Sequence, residues 1–398
     1  IDWDEGPEVG GDYGPYFQSQ RRDLHARAVA DLLARGHAYR DYATPEELAA
    51  ERQEAQAEKR RFLYSRRWMA ETAEQQRQFE AEGRSAVVRL KMPREGVCRF
   101  TDLIRGEVEF EWAQEQDHVI QRADGSCLYH LASAVDDHWM EISHVIRAEE
   151  HLSNTPRHIF ITESLGWQPP QYAHLPFVAE PGSKNKLSKR KLDKYLKNVE
   201  FAKLYEHGLA IAEAIGLEVQ PESFNPVIVD FYEQVGYLPD AIVNYLLLLG
   251  WALDDRTERF SRREMIDSFS LERVNRSPAS FDPLKLWAFE EAYMQEVPAD
   301  IKTEMVMPYL EQAGLVPTPL VEDLHAYVTA IVEAAGDRLK VAGDILEFRD
   351  FFLADDELVY EDKAFAKRLT KPADAIDLLG AWRHDLATAE NFDAASLE

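Results

Sequence analysis

Apolar residues in the early part of the chain keep two different rhythms. Leu24, Ala28, Leu32 and Leu33 recur at helical spacing, and Gly36 supplies a stop, which predicts a helix. Thr44-Pro45-Glu46-Glu47 then reads as a capping box, with a hydroxyl N-cap, proline at the first helical position and Glu at N3, so a long charged helix should follow. From Ala86 to Trp112 the texture changes to short β-rich runs broken by Pro93, Gly96 and Gly106, and a small sheet domain is predicted. Asp124-Gly125 marks a turn between a strand at His118 to Arg122 and the segment carrying Tyr129.

Further on, Glu141 to Arg147 (EISHVIR) reads as a buried strand, and Thr155-Pro156 opens a helix running to about Leu165. Strand, short acidic loop and helix make half of a βαβ unit. Ligands of open parallel sheets sit beyond the carboxyl ends of the strands, which marks Arg147, Glu149 and Glu150 as a candidate site. From Phe201 onward apolar faces recur at helical spacing, as in Ala241, Ile242, Tyr245 and Leu246 or Leu324, Val328, Ile331 and Val332. No internal repeat is visible, and Pro278 to Pro283 (PASFDP) is expected to hinge a final helical domain. The longest apolar stretch, Ala241 to Leu253, contains Asn244 and falls short of the roughly 20 residues that span a bilayer.

Composition sharpens this picture in two places. A net charge of −27 argues against blanket adhesion to nucleic acid or anionic membranes. Ser183 to Lys197 (SKNKLSKRKLDKYLK) nevertheless concentrates seven Lys and Arg around one Asp. With a Debye length of about 8 Å at physiological salt, such a strip can act on a phosphate that reaches it. The two cysteines, Cys98 and Cys127, cannot build a disulfide framework or a Cys-rich zinc site, and a cytoplasmic protein is expected. Asp136, Asp137, His138, Glu141 and His144 form a dense ligand-capable set, so a metal-dependent enzyme is a rival reading.

Lys186-Leu187-Ser188-Lys189-Arg190 follows Pro181-Gly182 and is expected to be a flexible loop leading into a helix. Its two lysines can converge on one polyphosphate. KLSKR resembles the KMSKS loop of class I aminoacyl-tRNA synthetases. Together with DWDEGPEVGGDYGPYFQSQR, AYRDYATPEEL, YHLASAVDDHWMEISHVIRAEEHLSNTPRH and LGWQPPQYAHLPFV, in that family's order and spacing, it narrows the resemblance to the bacterial glutamyl-tRNA synthetase family.

That resemblance implies ligation of L-glutamate to tRNA(Glu), with tRNA(Gln) as a second acceptor to consider, through a glutamyl adenylate made from ATP with Mg2+. It implies that Lys189, supported by Lys186 and Ser188, neutralises charge on the phosphates, and that Leu187 and Arg190 complete the ATP loop. Arg147 would face the glutamate side-chain carboxylate with Tyr129 beside it. Glu150 would accept from the ribose or adenine side, and Phe177-Val178 would offer backbone to the adenine. The implied fold is α/β, an incomplete Rossmann-like nucleotide-binding core with an inserted α/β acceptor-binding domain, followed by an α-helical stem-contact and anticodon-binding region. The expected bounds are 1–30 for the end of the first core half, 31–122 for the insertion and 123–180 for the second core half, then 181–282 for the stem-contact region with the KLSKR loop and 283–398 for a truncated helical anticodon-binding domain. The family's HIGH-type motif and the end of its anticodon domain are not found between Ile1 and Glu398, so a fragment that does not charge tRNA by itself is expected. Ser133 stands where relatives often carry Asn. A monomer and no membrane association are expected, and a non-catalytic tRNA-binding paralogue is the second rival.

Overall fold

The helical face read at Leu24 to Leu33 is α1 (Arg22–Ala34), closed by Gly36 at φ +76°. The computed structural model describes residues 3–317 and 324–388. They fall into two units, residues 1–198 with 240–289 and residues 199–239 with 290–398.

In the first unit β1 (Ala38–Asp41) leads to α2 (Pro45–Ala57). Thr44 Oγ1 accepts from Glu47 N at 3.3 Å while the Glu47 carboxylate accepts from Thr44 N at 2.8 Å, the predicted capping box, worth about 1 kcal/mol. After α3 (Ala73–Ala81) come β2 (Val87–Leu90), β3 (Val97–Asp102), β4 (Gly106–Glu111) and β5 (Val119–Gln121). The single sheet expected over Ala86 to Trp112 is in fact divided. β2 joins an antiparallel sheet of order β1-β2-β5, whereas the β3-β4 hairpin extends a second sheet, in which β3 lies beside the strand Gln171–Leu175 and that strand beside His144–Ala148. Pro93 and Gly96 break the run between β2 and β3, and the chain changes sheets there.

The second sheet carries the predicted βαβ half-unit. β6 (His144–Ala148) and β7 (Gln171–Leu175) run parallel from His144↔Gln171 to Ala148↔Leu175, connected through α5 (Thr155–Ser164). β7 is central, with Tyr172, Ala173 and His174 all buried. β6 corrects the sequence reading. Glu141 to Ser143 lie before the strand, with Glu141 at φ +53°; among the described residues β6 pairs with β7 alone, and Ile146 is 50% exposed.

One core runs through α1, the β1-β2-β5 sheet, α4 (Tyr129–Trp139) and α5. Leu32, Leu90, Ile120, Leu131 and Ile161 are fully buried there, each worth about 1.5–3 kcal/mol. The expected boundary at residue 122 therefore crosses a shared core. The PASFDP segment is also not free to hinge, since Ala179 N donates to Ala279 O at 2.8 Å and Phe281 N to Ala179 O at 2.9 Å, with Phe281 buried.

The second unit is helical among its described residues, as read from Phe201 onward. α7 (Val199–Ala214) packs on the helix Val229–Val235 through Gly208, where a Cβ would lie 2.5 Å from Phe231 Cε2. Val328, Ile331 and Val332 are buried on the predicted face of Leu324–Ala335. In the first unit the face read on Pro239–Leu248 is rotated. Asn244 is buried, while Leu246 is 51% exposed, because Asn244 donates to Glu258 O at 2.7 Å and accepts from Phe260 N at 2.8 Å.

Candidate active site

Arg147 stands at the carboxyl end of β6. Its Nε donates to His174 Nε2 at 3.0 Å, and its Nη2 donates to Thr155 Oγ1 at 2.9 Å and His151 O at 3.2 Å. The two glutamates following β6 do not neutralise it. Glu149 pairs with Arg105 at 2.5 Å, and Glu150 accepts from Lys186 Nζ. Among the described residues no carboxylate lies within ion-pair distance of Arg147, and no protein group accepts from its Nη1. The Asp137 carboxyl, pushed up to about 6 by burial, feels the Arg147 charge pulling the other way. An acid or anion arriving here therefore meets a guanidinium whose orientation is set and whose charge is not spent.

Tyr129 opens α4 and is 49% exposed, its ring 5.2 Å from that of His130 and 5.8 Å from that of His158. His130 Nδ1 and His158 Nε2 lie 3.2 Å apart, and His118 packs on His130 at 5.5 Å. Burial, with Arg157 adding to it, pushes His118 down to about 4, and burial with Arg157 and Arg147 pushes His130 to about 4 and His158 to about 3. These imidazoles are neutral at physiological pH, so the wall behind Tyr129 adds polar ring edges without countercharge.

The basic strip is more ordered than a flexible loop. Glu180 N donates to Asn185 O at 2.7 Å and Leu187 N to Val178 O at 2.9 Å, folding residues 178–187 into a hairpin that turns at Gly182, φ +66°. Ser188 N donates to Tyr195 Oη at 2.9 Å, so the Leu187 and Ser188 amides of the implied ATP loop already have partners here. Below the strip lies Glu180, whose side chain is 1% exposed. It accepts from Lys191 Nζ at 2.8 Å, from Lys194 Nζ and from Tyr195 Oη at 3.3 Å. The hydrogen bonds from the two lysines hold its carboxyl down to about 2. Lys189 and Arg190 remain exposed on the outer side, at the start of α6 (Leu192–Tyr195) and the short 3-10 turn before it.

Lys186 is the residue that joins strip and strand, through Glu150 at the end of β6. That contact holds Glu150 below the usual carboxylate range. Phe177 and Val178, half-buried, line an apolar cavity with Leu175, Leu247, Trp251 and Val274.

The five-residue metal set does not converge, which corrects that rival. Asp136 is buried against Arg21 Nε at 2.7 Å and His25 Nε2 at 2.8 Å. His138 stacks on Trp167 with centroids 3.8 Å apart, Glu141 accepts from Tyr13 Oη at 3.0 Å, and His144 is exposed beside Ser143. Adjacent helix positions such as Asp136 and Asp137 point to different faces, which is why sequence density misleads. Among the described residues the imidazole and carboxylate groups close enough to share an ion are His207, Asp344 and Glu347. There Asp344 already accepts from His207 at 2.7 Å and caps Lys340 N and Val341 N at 2.8 and 3.0 Å. The sequence reading missed Glu180, Asp102, His174 and Thr155. The one available signal was the D-L-I-R-G turn, an Asp placed to cap the amides that follow it.

Comparison with known proteins gives the family of the chain. Residues 1–218 and 224–288 match the family model described as tRNA synthetases class I (E and Q), catalytic domain, and residues 302–398 match the anticodon binding domain. The glutamate–tRNA ligase of Moorella thermoacetica is 40% identical over all of this chain and 74% of its own length. That of Dehalococcoides mccartyi is 38% identical over all of this chain and 73% of its own. A crystal structure of a glutamate tRNA ligase from Elizabethkingia meningosepticum in complex with its amino acid superposes with a TM-score of 0.79 at 29% identity, covering 97% of this chain and 74% of that one. No helix among the described residues is long and apolar enough to cross a membrane. The chain belongs to the glutamate–tRNA ligase family, class I aminoacyl-tRNA synthetases with an α/β catalytic part and a helical anticodon-binding part.

Proposed function

We propose that the two cationic features divide the work of glutamate–tRNA ligation between them. In the first step a glutamate α-carboxylate oxygen attacks the α-phosphorus of ATP and pyrophosphate leaves. In the second, a terminal ribose hydroxyl of tRNA attacks the adenylate carbonyl and AMP leaves. Arg147 holds the side-chain carboxylate of glutamate through Nη1, beside Tyr129, a role suited to a planar donor that cannot lose its proton. Lys189, with Lys186, Ser188 and Arg190, meets the phosphates of ATP, which arrives with Mg2+ as part of the substrate.

The observation that carries this reading is the contact of Lys186 with Glu150, which brings the strip to the end of the strand that bears Arg147. In this reading Lys186 exchanges Glu150 for phosphate when ATP enters, and Glu150 is released towards the ribose. Phe177 and Val178 offer backbone to the adenine at the rim of their apolar cavity. The reading takes tRNA(Glu) as acceptor and tRNA(Gln) as the alternative, and a monomer acting in the cytoplasm.

The test is Lys189→Ala in the active enzyme, with ATP–pyrophosphate exchange measured in the presence of tRNA. Adenylation is expected to fall by about 100-fold, the scale for one transition-state donor. Unchanged exchange refutes the role given to the strip.

A further inference from the structure

Asp102 ends β3 and His174 sits in the middle of the neighbouring β7, and neither side chain is exposed at all. Asp102 Oδ1 accepts from three amides, Ile104 N at 3.0 Å, Arg105 N at 2.8 Å and His174 N at 3.2 Å. Its Oδ2 lies 2.6 Å from His174 Nδ1. These bonds hold Asp102 below the usual carboxylate range although burial works against them. An ionised carboxylate can only accept, so Nδ1 carries the proton. His174 Nε2 is then left with its lone pair, and it faces Arg147 Nε, a group that can only donate, at 3.0 Å.

We propose that Asp102 and His174 are positioning residues which fix the guanidinium plane of Arg147 for the side-chain carboxylate of glutamate. The inference rests on the role given to Arg147 above and extends it to two groups that touch no substrate. Asp102 selects the tautomer, His174 receives Nε, and Thr155 with His151 O receives Nη2, so that Nη1 remains for the ligand. All the acceptors that Arg147 meets are neutral, and its charge is left for the amino acid.

The charged and titratable groups around His174 are consistent with a neutral ring. Asp102 faces it from β3 and favours protonation. Burial, together with Arg147 from β6 and Arg105 from the turn after β3, outweighs that and lowers its affinity for a proton. Tyr172 stacks at 6.2 Å on the same strand, and Glu149 is taken up by Arg105.

The experiment combines imidazole 15N NMR with substrate-specific kinetics. In the wild-type chain His174 is expected as the Nδ1–H tautomer; an Nε2–H ring overturns the proposal. Asp102→Asn keeps the shape and an oxygen for the three amides but turns an NH2 towards Nδ1, which drives the proton to Nε2 and against Arg147. In ATP–pyrophosphate exchange with tRNA present, this variant is expected to raise KM for glutamate about 10- to 100-fold, the scale for losing a hydrogen bond to a charged group. KM for ATP should stay within about twofold, because the strip is untouched.

A glutamate KM that does not change, or one that rises together with the ATP KM, overturns the proposal. If Asp102→Asn does not fold, His174→Gln, which keeps an acceptor for Arg147, should lose less glutamate affinity than His174→Leu, and equal losses overturn it. Arg147→Gln separates the two levels. Should that variant bind glutamate normally, the role of Arg147 itself fails; should it lose glutamate while Asp102→Asn does not, only the positioning role fails.

Discussion

Arg147 and the strip are the two cationic features of the site, and Arg147 is held in the opposite way to three of the strip's lysines. Lys186, Lys191 and Lys194 each face a carboxylate, Glu150 or the buried Glu180. Among the described residues Arg147 donates to His174, Thr155 and the His151 carbonyl, and to no carboxylate. A lysine on a carboxylate is already compensated and must exchange partners to act, whereas a guanidinium on neutral acceptors presents its whole charge in a fixed plane. The difference suits the two ligands. Glutamate must be distinguished by shape and charge before anything moves, while charge on the phosphates of ATP develops during the reaction and can be met by groups that rearrange.

The largest effect is expected where the fixed charge is removed. Arg147→Gln should weaken glutamate binding by about 1000-fold, because a carboxylate would enter a wall of neutral imidazoles with no cation to meet it. Calorimetric titration with glutamate measures this directly. A second effect comes from the buried acid near Arg147. The Asp137 carboxyl sits at about 6 in the folded chain, above its unfolded value, so its contribution to stability is full below the unfolded value and lost as pH rises through about 6. Asp137→Asn should therefore stabilise the fold by about 2 kcal/mol at pH 8 and by little at pH 4. Urea unfolding at the two pH values checks the difference.

Breaking the strip's anchor should cost less. Glu180→Gln keeps the shape but releases Lys191 and Lys194, and KM for ATP is expected to rise about tenfold, with faster tryptic cleavage between residues 184 and 194. The sign of its pH response is opposite to that of Asp137. The Glu180 carboxyl is held down to about 2, so the anchor is present above the unfolded carboxylate value and is lost only as pH falls through about 2. Strip protection against trypsin should thus be flat from pH 6 to 9. The smallest effect belongs to Glu150→Gln, which removes an exposed partner of Lys186 and should change KM for ATP by about threefold or less.

Much of the fold was legible because it is written in local chemistry. The Thr44 capping box, the Asp124-Gly125 turn, the Thr155-Pro156 helix start and the face of Leu324–Ala335 all depend on neighbours within a few positions. What was not legible depends on partners far along the chain. The β3-β4 hairpin joins the sheet of β7 rather than that of β2, a pairing set by Asp102↔Tyr172, which no local pattern in Ala86 to Trp112 encodes.

The site divides in the same way. Arg147, Tyr129 and the KLSKR residues stood out through motif and residue type. The order of the strip did not, because it comes from Glu180, an acidic residue in a loop-like stretch whose burial only the fold reveals. His174 was likewise hidden in a strand of mixed residues, its role given by Asp102 and Arg147 on either side. The Asp136 to His144 set erred in the other direction, since closeness in sequence was mistaken for closeness of side chains.

The division of labour between the two cationic features is tested most directly by steady-state ATP–pyrophosphate exchange, with tRNA present, of Arg147→Gln and Lys189→Ala side by side, each titrated with both glutamate and ATP. Arg147→Gln is predicted to raise KM for glutamate and leave that for ATP nearly unchanged, and Lys189→Ala to lower kcat while glutamate KM stays put. If both variants shift the same parameter for the same substrate, the two features do not divide the work and the account is wrong.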